Sequence, residues 1–183
     1  IIPFFYSYNK SNIERLICED FEIKCNVKGK IYYSFIPTPR LIIKDLQVNS
    51  LTEEENILAK IERIDINLPL TDLYKKSKKD LNKIQLKNAK LFVNYKKIAQ
   101  YKNLLLSKKK DNVISFKKSD IDFYDGSTYI ASINEVSGKY KYKKNHDKIN
   151  LKGNFLGDDI SINFESDLNS EKNLLIKLKD LNF

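Results

Sequence analysis

GKIYYSFIPTPRLIIKDLQV, residues 29–48, is the stretch that decides the fold, because it places two strand-like runs on either side of a proline-rich link. Residues 31–36 alternate with the period of two that is typical of an extended strand. Pro37 and Pro39 cannot donate hydrogen bonds to a strand ladder, so they end this run and hold the link in extended geometry. The alternation resumes over residues 40–48. The segment therefore predicts two strands joined by a stiff link.

Short helices are predicted at three places in the N-terminal half. Ser11 and Glu14 have the spacing of a capping box, which satisfies free backbone amides at the start of a helix. Pro69 is suited to the first position of a second helix. Residues 97–107 carry apolar side chains at helical spacing and predict a third.

Strands account for most of the remaining sequence. Residues 57–68 form a strand whose apolar side changes along its length, which predicts a bulge near Glu62 or Arg63. Residues 81–87 and 89–95 are predicted to be a further pair of strands.

The C-terminal third keeps one apolar side and one polar side through strand after strand. Turn residues separate these strands at Asp125-Gly126, at 145–147 and at Gly157-Asp158. The apolar side of the last strands consists of Ile149, Leu151, Phe155, Ile160, Ile162, Phe164, Leu174, Ile176 and Leu178. We therefore predict a mainly β fold, an antiparallel meander with one apolar face and two or three short helices in the N-terminal half.

An apolar sheet face needs a cover, and few short helices are predicted to supply one. The sheet can fold over into a sandwich or barrel, another part of a longer protein can cover it, or it can stay partly open as a groove for an apolar ligand. The pattern of residues alone favours the sandwich or barrel.

The net charge of +9 raises the question of a nucleic-acid partner. The clusters Lys75, Lys76, Lys78, Lys79 and Lys108–Lys110 lie where helices are predicted to end, and cations are favoured there by the helix dipole. Attraction to anionic lipid headgroups is an alternative use of the same lysines. Tyr140 and Tyr142, between lysines, would offer stacking surfaces only if they pointed outward. We do not expect nucleic-acid binding.

Catalytic and metal-binding patterns are weak. His146 is the only histidine and lies in a predicted Asn-His-Asp turn, so we interpret it as a turn residue. The acidic runs 53–55 and 158–159 are predicted in loops, as solvated residues in preference to calcium ligands. No glycine-rich phosphate loop is present in the sequence. The sequence predicts neither an enzyme nor a cofactor.

The opening segment resembles the first module of the AsmA-like family, bacterial envelope proteins tethered to the inner membrane. The family pattern is G.I..S..P.P.L.I..L.V, and Gly29, Pro37, Pro39, Arg40 and Leu41 are its structural core in this chain. Residues 8–17, 57–74 and 114–140 are similar to further parts of the module. The resemblance thus covers most of the chain, and its specificity lies in the order of the motifs.

The resemblance implies a curved sheet, a β-groove or half-pipe of the kind found in bridge-like lipid transfer proteins. It implies that the nine apolar residues of the last strands line a groove for phospholipid acyl chains. The implied function is lipid transport between the inner and outer membranes and outer-membrane homeostasis, with membrane lipids and envelope proteins as partners. The alternative is a non-enzymatic envelope scaffold with a closed β core.

The resemblance also implies a location and a domain division. Residues 1–8 are expected to be the end of a transmembrane anchor, since the sequence contains no methionine and begins with an apolar run; an ordinary buried first segment is the alternative. Residues 9–183 are expected to be a single periplasmic domain of a longer inner-membrane protein. Cys25 is most simply a small core residue, although this compartment permits a Cys18–Cys25 disulfide as the alternative.

Overall fold

The computed structural model describes residues 10–18, 23–50, 57–67, 83–98, 112–143, 146–167 and 172–179. These contain one α-helix, α1 (Lys10–Cys18), and a 3-10 turn at Tyr95–Lys97. The strands are β1 (Ile23–Val27), β2 (Ile31–Ser34), β3 (Arg40–Ser50), β4 (Ile57–Asn67), β5 (Lys83–Asn94), β6 (Asn112–Asp125), β7 (Thr128–Lys143), β8 (His146–Phe155), β9 (Asp158–Asp167) and β10 (Asn173–Leu178).

All ten strands belong to one sheet. Its order is β1-β3-β4-β5-β6-β7-β8-β9-β10, and β2 pairs with β3 beside β1. Neighbouring strands are antiparallel except β5 and β6, which run parallel. Within the described part of the chain, the two ends of this path do not pair, so the sheet is not closed. The prediction of a mainly β fold with a large antiparallel sheet is confirmed, whereas the closed sandwich or barrel that the residue pattern alone favoured is not found among the described residues.

Three details of the predicted secondary structure need correction. The described residues do not contain two or three helices: α1 agrees with the first prediction, whereas the second lies outside the described residues, as do positions 99–107 of the third. The predicted strands 81–87 and 89–95 are one continuous strand, β5. The parallel β5–β6 pair also interrupts what the sequence predicts as an antiparallel arrangement.

The first hairpin agrees with the prediction from the proline segment. β2 pairs with β3 from Ile31 opposite Ile43 to Ser34 opposite Arg40, and residues 35–39 form the link. The Arg40 guanidinium closes this link by donating from Nη2 to the Ile36 carbonyl at 3.0 Å. Pro37 and Pro39 therefore act by shaping a loop.

Gly29 lies where β1 and β2 meet along the same edge of β3. Residues 28–30 lie opposite only residues 44 and 45, which makes this a bulge. A Cβ at Gly29 would be 2.6 Å from the Lys44 carbonyl oxygen. The close approach of the two backbones therefore requires glycine.

A line of left-handed residues, which we call the crease, crosses the sheet. It consists of Asp45, Asn88, Lys118 and Glu135, with φ between 50° and 52°, in β3, β5, β6 and β7. β4 contributes Glu62, which lies between Asp45 and Asn88 in the register. Ladder pairing is interrupted at the crease and resumes beyond it.

The crease shifts the alternation of apolar residues by one position, and their side chains stay on one face of the sheet. In β4, Ala59 and Ile61 precede it and Ile64 and Ile66 follow it, yet all four belong to one buried cluster. The predicted shift in the alternation of apolar residues is thus confirmed, but the β3–β4 register continues unchanged across Glu62. The sequence predicted that a bulge in one strand would shift the alternation. In the structure, a loss of ladder pairing that adjacent strands share accompanies this shift.

The apolar side chains gather on a single sheet face, which we call the apolar face. A cluster from β1–β5 and a smaller cluster centred on β7–β9 form its buried parts. Ile43 and Ile66 are completely buried in the first cluster. Burial of this kind supplies the main stabilisation of the sheet, about 1.5–3 kcal/mol for each large side chain.

The helix α1 is held against β1 by two contacts. The Val27 amide donates to the Glu14 carboxylate at 2.7 Å, and Cys18 forms a disulfide with Cys25 of β1. The preferred interpretation of Cys25 as a free core residue is therefore wrong. In the described ranges, no helix is both long and apolar enough to cross a membrane. The predicted anchor, residues 1–8, lies outside those ranges.

Candidate functional site

The nine residues predicted to line a groove are brought together on the apolar face of β8, β9 and β10. Residues directly opposite in antiparallel strands point to the same side of a sheet, so each row below shares a face. The rows across the three strands are Ile149–Phe164–Leu174, Leu151–Ile162–Ile176 and Gly153–Ile160–Leu178. Phe155 lies at the end of β8, opposite Ile133 of β7.

The same face continues in register toward the N-terminal strands. Gly138 joins Phe116 of β6 to Leu151 of β8. The row then runs through Leu86 of β5 to Ile64 of β4. The predicted lining residues are therefore one end of an apolar surface that spans the sheet.

Exposure of this face increases toward β10. Its residues are buried in β3 and β4, and most are half-buried in β8 and β9. On β10, Leu174 is 62% exposed and Ile176 is 52% exposed. β10 is also a terminal strand of the sheet, paired on one side with β9. The accessible part of the apolar face is thus the region around β9 and β10.

A very small cavity lies among the described residues of this face. A cavity of about 10 Å³ lies between Ile121, Ile133, Val136, Leu151 and Ile162, roughly the volume that one water requires. An acyl chain does not fit inside it.

Two glycines allow the backbones of β7 and β8 to pack closely on the apolar face. A Cβ at Gly153 would be 2.8 Å from the Asn134 carbonyl oxygen, and one at Gly138 would be 2.8 Å from the Leu151 Cα. Both glycines lie on the apolar side of their strands. Close backbone packing at this position leaves no room for side chains.

A polar contact marks one end of the face. Tyr140 and Tyr142 share the side of Ile149, and the Tyr140 hydroxyl donates to the Asp147 carboxylate at 2.7 Å. Burial, reinforced by this hydrogen bond, raises the pKa of Tyr140. Tyr142 is 6% exposed. These tyrosines therefore do not offer the outward stacking surfaces that a nucleic-acid site between the neighbouring lysines would need.

The opposite face of the sheet is charged. Asp65 is buried and accepts from Arg63 Nε at 2.6 Å and from Lys87 Nζ at 2.7 Å. Burial acts to raise the pKa of Asp65, but the hydrogen bonds from the two cations outweigh it and lower the pKa. Arg40, part of the predicted family motif, lies 3.9 Å from the same carboxylate. This cluster ties β3, β4 and β5 together.

A cavity of about 330 Å³ opens near the ends of β5 and β6. It is lined in part by Lys60, Phe92 and Tyr124, which lie opposite the apolar face, and by the turn at Gly126 and Ser127. The Phe92 and Tyr124 ring centroids are 6.2 Å apart. The alternating sequence gave no signal for this cavity, because its lining comes from β4, β5, β6 and the turn after β6.

The residues considered for catalysis or metal binding do not converge. His146 is the first residue of β8 and Asp158 and Asp159 begin β9, so the predictions of a turn and a loop are wrong for these residues. Among the residues that the structure describes, no group of three or more His, Cys, Asp or Glu side chains is placed to hold a metal ion. Residues 53–55 lie outside that part of the chain.

No family model matches this sequence, and no curated protein matches it.

Proposed function

We propose that the apolar face binds phospholipid acyl chains, and that the chain is an AsmA-like periplasmic domain of an inner-membrane protein that transports lipid between the two membranes of a bacterial envelope. The supporting observation is the continuous, registered apolar face that becomes exposed at β10. This domain carries out no bond-making or bond-breaking step. Its role is to shield lipid tails from water.

The energetics explain why such a face is useful. Each methylene group exposed to water costs about 0.8 kcal/mol, so an acyl chain of ~16 carbons costs on the order of 13 kcal/mol when bare. Contact with one side of a sheet removes part of that cost. Phe164 and Ile162 supply the contact surface on β9, and Leu174 and Ile176 supply it on β10.

The open sheet is compatible with a role in a longer array. β10 carries exposed leucines and isoleucine on an edge, and such an edge accepts a further strand readily. We propose that this domain is one length of a longer β-groove. Each added strand would extend the apolar face by about 4.8 Å.

The Cys18–Cys25 disulfide supports the proposed compartment. Disulfides persist in oxidising environments such as the bacterial periplasm and are rare in the cytosol. This bond joins α1 to β1 across seven residues of sequence. A periplasmic domain that is secured to an inner-membrane anchor through its N-terminal helix is consistent with this arrangement.

Lipid binding is testable with two adjacent residues. Ile176 and Leu175 are exposed to nearly the same extent, 52% and 51%, but they lie on opposite sides of β10. Ile176→Asp places a charge on the apolar face, whereas Leu175→Asp places the same charge on the other side. We expect purified wild-type protein to release phospholipid to mass spectrometry and to bind a fluorescent phospholipid.

The two variants distinguish lipid binding at the apolar face from nonspecific hydrophobic binding. Ile176→Asp should lower fluorescent-lipid binding at least tenfold, and Leu175→Asp should lower it less than twofold. Circular dichroism would check that both variants fold. Equal losses in the two variants, or wild-type protein that contains and binds no lipid, would refute the proposal.

The alternative is an envelope scaffold that acts through protein partners. Complete burial of the apolar face over β3 and β4 favours an ordinary core in that half of the sheet. The closed β core expected for this alternative is not found, since the sheet is open among the described residues. A scaffold would retain its envelope function in the Ile176→Asp variant.

A further inference from the structure

The opposite face of the sheet carries more lysines on one side of the crease than on the other. We call one group of lysines on this face the basic strip. It contains the lysines of β6 that precede the crease, the lysines of β7 that follow it, and the lysines of β8 and β10. Its members are Lys117, Lys139, Lys141, Lys143, Lys148, Lys152 and Lys177. Beyond the crease, the same face carries Asp120 and Asp122 of β6.

The register places the lysines of the basic strip close together. Lys141 lies directly opposite Lys148, and Ser161 of β9 lies between Lys152 and Lys177. Neighbouring strands are about 4.8 Å apart, and side chains two residues apart on one strand are separated by about 6.8 Å. Six of the seven lysines are exposed, and Lys148 is half-buried and paired with Glu165. Like charges at opposed positions disfavour the sheet, so folding does not explain their placement.

We propose that the basic strip binds the anionic headgroup surface of a membrane and sets the orientation in which the sheet approaches it. The lysines form a two-dimensional array on a sheet face, which suits a plane of phosphate groups. The aromatic rings of Tyr140 and Tyr142, which alternate with these lysines, lie on the other side of β7. A single-stranded nucleic acid would lack the stacking partners that normally accompany such lysines.

This binding is independent of lipid uptake by the apolar face, because the two surfaces are on opposite sides of the sheet. The basic strip would attract the sheet to the bilayer more strongly than the part of this face beyond the crease, where Lys60 and Lys90 lie near Asp120 and Asp122. Each lysine near an anionic surface contributes about a fivefold increase in partitioning. The effect weakens as salt increases, because the lysines are exposed.

A matched pair of double variants tests the proposal. Lys60 and Lys90 lie directly opposite each other on the same face but beyond the crease. Each opposed pair contains one lysine that is held by an acid, Lys148 by Glu165 and Lys90 by Asp122. Lys141→Gln/Lys148→Gln and Lys60→Gln/Lys90→Gln therefore change the net charge equally and break one ion pair each.

The measurement is co-sedimentation of the full chain with vesicles of phosphatidylcholine containing 30 mol% phosphatidylglycerol, a composition chosen for the assay, at two salt concentrations. We expect Lys141→Gln/Lys148→Gln to lower the partition coefficient by at least fivefold and Lys60→Gln/Lys90→Gln by less than twofold. Equal losses in the two variants, or no preference of the wild type for anionic over neutral vesicles, would overturn the proposal. So would tighter binding to single-stranded RNA than to these vesicles at equal phosphate concentration and salt. Fluorescent-lipid binding to the apolar face should be unchanged in both variants, which separates this result from the test of the proposed function.

Discussion

The left-handed conformation at the crease predicts that two adjacent exposed lysines respond differently to replacement by glycine. Lys118 and Lys117 are adjacent, exposed lysines of β6, but Lys118 has a φ of 51° whereas Lys117 lies outside the group of left-handed residues. The Lys118 amide donates to Ser137 Oγ at 3.4 Å through its backbone, and a glycine would keep this contact. Replacing each lysine with glycine removes the same side chain from two different backbone conformations.

The two substitutions are expected to change the free energy of unfolding in opposite directions. A left-handed conformation costs a residue with a Cβ about 1–2 kcal/mol, and glycine avoids that cost. Glycine within a strand loses about 0.5–1 kcal/mol to backbone entropy. Lys118→Gly should therefore raise the free energy of unfolding by about 0.5–1 kcal/mol, whereas Lys117→Gly should lower it by about the same amount. For a chain of this size each kcal/mol shifts Tm by about 2–4 °C.

Thermal unfolding followed by circular dichroism measures this difference, with urea unfolding as an independent check. Glu135→Gly should behave as Lys118→Gly does, because Glu135 is exposed and has a φ of 52°. Asn88→Gly should gain nothing: asparagine tolerates this conformation, and its side chain donates to Glu62 at 2.6 Å. If Lys118→Gly and Lys117→Gly lower Tm equally, the left-handed crease is not a feature of the folded protein.

Three further predictions concern stability. Gly29→Ala should lower the free energy of unfolding by about 1–3 kcal/mol, measured by urea unfolding, because its Cβ would overlap the backbone of β3; a neutral effect would contradict the bulge. Asp65 has a lowered pKa, so the stability it contributes is fully present above about pH 4 and is lost as pH falls toward the folded-state pKa. Asp65→Asn should weaken the protein at pH 7 and flatten the acid limb of a Tm-against-pH curve; an unchanged acid limb would refute this role. Replacement of Cys18 and Cys25 by serine should lower the free energy of unfolding by about 2 kcal/mol relative to the oxidised protein, and the oxidised wild type should show no free thiol on alkylation.

The alternating pattern of the sequence was sufficient to predict the strands and the apolar face. The first hairpin followed from the position of its prolines, and the turns at Gly126 and Gly157 followed from their glycines. The three rows of lining residues followed from strict alternation in β8, β9 and β10. These features depend on local sequence, which explains why they were predictable.

The crease was missed because Lys118 and Glu135 give no local signal for a left-handed conformation. A signal was nevertheless present in the sequence. In five strands, the two apolar or small residues that flank the crease are three positions apart instead of two. The pairs are Ile43/Leu46, Ile61/Ile64, Leu86/Ala89, Phe116/Ser119 and Ile133/Val136. In β5 this spacing led to the incorrect division into two strands. The repetition in neighbouring strands is what distinguishes a crease from a turn.

Long-range features were less accessible to sequence reasoning. The parallel pairing of β5 and β6 depends on the path of the chain between them. The Cys18–Cys25 disulfide depends on α1 lying against β1, with the two Cα atoms 6.0 Å apart. Neither arrangement has a periodicity that a single sequence reveals. The gradient of burial from β3 to β10 similarly depends on how the whole sheet packs.

Site-specific photo-crosslinking in bacterial cells would show whether lipid tails occupy the apolar face. A benzoylphenylalanine probe at Ile176 would project from the apolar face, and one at Leu175 would project from the other side of the same strand. We expect lipid adducts, detected by mass spectrometry, at position 176 and few or none at position 175. Equal capture at both positions, or no capture at position 176 in folded protein, would contradict it.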